Sequence, residues 1–69
     1  MKITVNGEAK TFEAASLTIT ELLAKSDVEN PQLVTVQHNG EFVDEQTYAT
    51  EKVADGDEVE FLYFLGGGQ

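Results

Sequence analysis

Sixty-nine residues with 13 Asp+Glu against 4 Lys, no Arg and a net charge of −9 describe one small acidic domain. A nucleic-acid backbone binder needs clustered cations to displace counterions, and Lys2, Lys10, Lys25 and Lys52 are scattered among three times as many carboxylates, so the balance points away from nucleic acid and toward a basic protein partner. The absence of cysteine excludes disulfides, a thiolate nucleophile and Cys-based metal sites, and no window approaches the ~20 apolar residues of a membrane span or the h-region of a signal peptide. The expectation is a soluble cytoplasmic protein, monomeric when free. A chain this short buries only ~60% of its unfolded surface, enough for one core but not for a deep substrate cavity, which weighs against an enzyme.

Lys2 to Val5 alternates, with Ile3 and Val5 on one face, in the period of a half-buried strand. Asn6-Gly7 accommodates the positive φ values of a tight turn, so Glu8 to Glu13 is expected to return antiparallel with Phe12 toward the core. Thr18 and Glu21 have capping-box spacing and predict a helix start, with Leu17 and Leu22 as a hydrophobic staple and Ile19, Leu22 and Leu23 as the apolar face. The helical pattern stops near Lys25-Ser26, and Asn30-Pro31 cannot be helix interior.

Leu33 to Gln37 is rich in β-branched residues and predicts a third strand, turned by Asn39-Gly40 toward a short fourth segment at Phe42-Val43. From Asp44 to Lys52 the chain is polar around one aromatic, Tyr48, and suits a loop or single helical turn. Asp55-Gly56-Asp57 is a further turn signal before Glu58 to Phe64, the longest strand candidate. Its alternation puts Val59, Phe61 and Tyr63 on one face and Glu58, Glu60, Leu62 and Phe64 on the other, so either set of apolar side chains can be core and the other a docking surface. The string is α+β: one helix across one face of a mixed four- to five-stranded sheet, with the first and last strands parallel at its centre, the β-grasp arrangement. The domain is expected over residues 1–65, with 66–69 as a flexible tail.

Conventional catalytic constellations are missing from the sequence. His38, the only histidine, sits at a strand end beside Asn39-Gly40 and suits a surface turn. Asp55-Gly56-Asp57-Glu58 lacks the spacing and distal bidentate Glu of a calcium loop. Gly66-Gly67-Gly68 does not open a helix, so it is no phosphate cradle. Three glycines directly after Glu-Phe-Leu-Tyr-Phe-Leu instead suit a tail that enters something narrow, since glycine has no Cβ to obstruct entry. At ~3.3–3.6 Å per extended residue, Leu65 to Gln69 reach about 17 Å.

The opening Lys-Ile-Thr-Val-Asn-Gly, the Leu-Thr-Ile-Thr-Glu-Leu-Leu helix start, Val-Ala-Asp-Gly-Asp-Glu-Val and the terminal diglycine together resemble the ThiS family of sulfur carriers, over nearly the whole chain. The Asp-Gly-Asp and diglycine pair at this domain size is also similar to MoaD-like carriers. The resemblance implies a carrier rather than a catalyst, with no cofactor of its own. An adenylyltransferase of the ThiF/MoeB-like type uses ATP and a metal ion to activate the terminal carboxylate, a sulfur donor protein converts it to a thiocarboxylate, and an acceptor such as thiazole synthase or a homocysteine-forming enzyme takes the sulfur.

Carried over by position, Gly68 bears the thiocarboxylate, Gly66 and Gly67 thread the partner's channel, and Leu62, Phe64 and Leu65 are candidates for partner docking. The chain departs from the pattern at Gln69, which follows the diglycine. Similar carriers of the HcyS type are trimmed by a JAMM-type zinc metalloprotease, so Gln69 reads either as a residue removed before activation or as a remnant. A ubiquitin-like modifier, or a non-covalent interaction module, is the alternative from another functional class.

Overall fold

The computed structural model describes residues 1–26, 28 and 33–63. Its two Asn-Gly pairs set the frame. Asn6 (φ 52°) with Gly7 (φ 83°), and Asn39 (φ 53°) with Gly40 (φ 87°), take the left-handed conformations that two-residue hairpin turns require. The first joins β1 (Lys2–Val5) to β2 (Glu8–Thr11), and the second joins β4 (Val34–His38) to β5 (Glu41–Phe42). The return strand thus ends at Thr11, two residues short of the expected Glu13, and Phe12 lies half-buried against the core's margin.

Between the hairpins lie β3 (Ser16–Thr18) and helix α1 (Ile19–Lys25). The Thr18–Glu21 capping box forms: Glu21 N donates to Thr18 Oγ1 (3.1 Å), and Thr18 N donates to Glu21 Oε1 (2.9 Å). The next two helical N–H groups, of Ile19 and Thr20, donate to the carbonyls of Glu51 (2.9 Å) and Tyr48 (3.0 Å), so every donor at this helix start is engaged. After β5 a short 3-10 turn (Glu45–Thr47), capped by Asp44, leads to β6 (Lys52–Ala54) and β7 (Glu58–Tyr63).

The main sheet has the order β2-β1-β7-β4-β5, with β7 parallel to β1 and antiparallel to β4, while β3 and β6 form a separate two-stranded ribbon. The mixed sheet, with one α-helix among the described residues, is the expected α+β, β-grasp architecture. Ile3, Val5, Ile19, Leu22, Leu23, Val34, Val36, Val59 and Phe61 are expected in the core and are buried there, and Leu17, Val43 and Val53 join them. The ribbon is an addition to the expected element string: each of its strands is three residues long and buries one apolar side chain, Leu17 opposite Val53.

Strand bounds shift by one where Leu33 stays outside β4 and where Val43 follows β5 rather than belonging to it. The helix-excluding pair Asn30-Pro31, the domain boundary expected at 65/66, and Phe64, Leu65, Gly66, Gly67, Gly68 and Gln69 lie outside the described residues. No helix among the described residues is long and apolar enough to cross a membrane.

Candidate functional site

The strand that leads into the glycines, β7, occupies the middle of the sheet and is held from both flanks. Asn6 N donates to Val59 O (3.0 Å), and Asn6 Oδ1 accepts from Phe61 N (2.8 Å). On the other side Asn39 N donates to Glu58 O (2.7 Å), and Asn39 Oδ1 accepts from Glu58 N (2.8 Å). Each Asn therefore turns a hairpin with its backbone and fastens β7 with its side chain.

Register settles which face of β7 is core. Val59 and Phe61 are buried under α1, whereas Tyr63, on the same side, is half exposed at 50%. The opposite face is open. There Glu58 lies beside Thr4, Glu60 beside Gln37 and Leu62 beside Thr35, with Phe42 of β5 opposite Gln37 and 65% exposed. Leu62 is half-buried on this face. The open face thus carries two carboxylates in its middle and the apolar Leu62 and Phe42 toward one side, a pattern of charged and apolar groups suited to a protein partner. Of the expected site residues, Leu62 alone is described; Phe64, Leu65, Gly66, Gly67, Gly68 and Gln69 are not.

His38 departs from the expectation of a surface turn residue. Its ring is only 14% exposed, with Nδ1 2.9 Å from Glu51 Oε2 and Nε2 2.7 Å from Asp57 Oδ2. Burial alone pushes its pKa down, but the hydrogen bonds to Glu51 and Asp57 and their charges outweigh this, and the net shift is upward from 6.5. Asp57 moves the other way: burial raises its pKa, yet the bonds from His38, Ala54 N and Asn39 hold it below the ordinary carboxylate value. Asp55 accepts from Lys2 N (2.7 Å) and Asp57 from Ala54 N (2.9 Å), so the Asp-Gly-Asp turn is a structural clasp. No group of three or more His, Asp and Glu suited to a metal ion occurs among the described residues.

Tyr48 was visible in the sequence only as an aromatic in a polar loop. Its hydroxyl accepts from Val36 N (3.2 Å) and donates to Val34 O (3.4 Å), supplying the partners that the two-residue β5 is too short to give β4. The signal for His38, Tyr48 and the two Asn side chains is absent from local sequence, because each acts on a strand brought near by topology.

The sequence model of the ThiS family matches residues 3–68. Among curated proteins, the chain is 41% identical over 68 residues to a thiazole synthase of Paramagnetospirillum magneticum, covering 99% of this chain but 20% of that protein. It is 33% identical over 64 residues to the sulfur carrier protein ThiS of Bacillus subtilis, covering 93% of this chain and 96% of the relative. Among solved structures, it resembles the crystal structure of a thiamine biosynthesis protein (ThiS) from Geobacter metallireducens, with TM-score 0.91 and 48% identity over 99% of this chain and 100% of that one. A solution NMR structure of a thiamine biosynthesis protein from the same organism gives TM-score 0.79 and 47% identity, covering 100% of this chain and 90% of that one. With a match over almost its full length and the β-grasp sheet in place, the chain belongs to the ThiS family.

Proposed function

We propose that this protein is a sulfur carrier of thiamine biosynthesis that is activated at Gly68 once Gln69 has been removed. The observation that carries the reading is the family match running to Gly68 and stopping before Gln69. In the proposed cycle a carboxylate oxygen of Gly68 attacks the α-phosphorus of ATP in a ThiF/MoeB-like adenylyltransferase and displaces pyrophosphate. Sulfur delivered at the sulfide level by a donor protein then attacks the acyl carbon, the new C–S bond replacing the C–O bond to AMP, and AMP leaves to give a thiocarboxylate. A free carboxylate is a poor electrophile, so ATP, the metal ion and anion stabilisation come from the partner, while the carrier supplies reach and a docking face. Gly66 and Gly67 thread the channel, and Leu62, Phe64 and Leu65 dock.

Thiazole synthase is the preferred acceptor, ahead of a homocysteine-forming enzyme. In the relative called thiazole synthase, the stretch resembling this chain is a fifth of the protein, which supports a carrier that works beside such an enzyme. Trimming by a JAMM-type metalloprotease is the proposed route to the free Gly68 carboxylate, because a peptide amide cannot be adenylated as a carboxylate. The full-length chain should therefore be inert in ATP–pyrophosphate exchange with its adenylyltransferase, and a form ending at Gly68 should be active and then accept sulfur. In that form Gly68→Ala should react poorly, its methyl group meeting the channel wall. Equal acyl-adenylate formation by the two forms, with Gln69 retained, would refute the trimming step. Intact mass of the protein from its native host reads the terminus directly.

A further inference from the structure

A groove of about 320 Å³ opens on the core side of the sheet between β2 and the C-terminal end of α1. It arises because β2 is an edge strand exposed along its length, with Glu8 opposite Val5 and Lys10 opposite Ile3, so both side chains leave the sheet on the helix side. Phe12 and Phe61 contribute apolar surface, Lys10 and Lys25 line it from β2 and from α1, and Tyr63 forms part of the wall. Two of the four lysines in a chain of net charge −9 thus share one groove of mixed polar and apolar lining, in which Glu8 is the acidic side chain. Lys10 Nζ is 3.6 Å from Glu8 Oε1 with both side chains well exposed, a water-screened contact readily exchanged for another carboxylate.

We propose that this groove is a second contact for the adenylyltransferase, and that its occupant is a partner segment presenting an apolar side chain beside a carboxylate. The charge favours that chemistry, since an acidic group is repelled over most of this surface and attracted here. Position favours that partner, because a protein grasping the residues after Tyr63 is already at the groove's wall. The rival occupant is the chain's own residues 64–69. Ordering six residues, three of them glycine, forfeits more conformational freedom than two screened ion pairs return, whereas a folded partner brings its segment already ordered. The identity of the partner rests on the carrier reading; the chemistry of the occupant does not.

The test is titration of the 15N-labelled full chain with two blocked peptides, acetyl-Asp-Leu-Phe-Asp-amide and acetyl-Lys-Leu-Phe-Lys-amide. The acidic peptide should give saturable shifts at the Lys10, Phe12, Ser26 and Tyr63 amides and the basic one should not. The double variant Lys10→Glu, Lys25→Glu, with unchanged circular dichroism, should reverse the preference. In ATP–pyrophosphate exchange on the form ending at Gly68, the same pair should raise KM by up to about tenfold and leave kcat unchanged. Shifts confined to Leu62 and Phe42, an acidic preference that survives charge reversal, or an unchanged KM overturns the proposal. So does removal of residues 66–69 if it moves Lys10 and Phe12 as far as the peptide does, since the tail is then the occupant. Failure of exchange by the unsubstituted form sinks the carrier reading instead, and leaves the peptide shifts to decide the groove.

Discussion

His38 has a carboxylate within hydrogen-bond distance of each ring nitrogen, and a neutral imidazole has only one N–H, so the pair of contacts favours the imidazolium form. Its raised pKa contributes stability that is full below the ordinary 6.5 and is lost as pH rises through the higher folded value. The depressed pKa of Asp57 contributes stability that is full above 3.8 and is lost as pH falls through its folded value. The clamp is strongest between those limits. His38→Gln should cost ~1–2 kcal/mol near pH 5–6 and progressively less above it, measured as the difference in urea midpoint from the unsubstituted protein across pH. A difference independent of pH would show that the ring acts only by packing. At the turns, Asn39→Ala should cost ~2–3 kcal/mol, since alanine resists positive φ and leaves Glu58 N without its acceptor, and Asn39→Gly should cost less because it restores the conformation alone. Denaturant unfolding of the two variants separates the contributions.

Helix α1 is seven residues long, too short to persist by propensity, so its cap and its buried face must hold it. Thr18→Ala should cost ~1 kcal/mol by removing the capping box, and Leu22→Ala, at a fully buried position, ~2–5 kcal/mol. Both are read from denaturant midpoints; a Leu22→Ala cost below that of the cap would show that the helix face is not the core's anchor. This element was legible because cap, staple and apolar face all lie within a few residues of one another. The hairpins were legible for the same reason, each announced by Asn-Gly between alternating residues. The β3–β6 ribbon was not, because Ser16–Thr18 and Lys52–Ala54 each bury one side chain and show no period, and they meet only after the sheet brings them together. The clasp of His38 with Glu51 and Asp57 escaped for the matching reason: partners 13 and 19 residues away leave no local pattern. In the candidate site, the diglycine was plain in the sequence, while the lysine-lined groove depends on the side from which an edge strand projects.

For the whole molecule, the net charge of −9 and the carboxylates Glu58 and Glu60 on the open face should steer the carrier toward a basic partner surface. Association measured by stopped flow should slow by an order of magnitude or more between low salt and about 1 M; a rate unaffected by salt would remove steering from the account. Seating the tail-bearing strand at the sheet centre also has a mechanical meaning. Tension applied beyond Tyr63 runs along β7, whose hydrogen bonds to β1 and β4 lie across that direction. They share the load together in shear instead of parting one at a time, as a peeled hairpin does. A partner can therefore haul on the glycines without unravelling the domain, and pulling between Met1 and the C-terminus should rupture the fold at a higher force than pulling β2 away from β1.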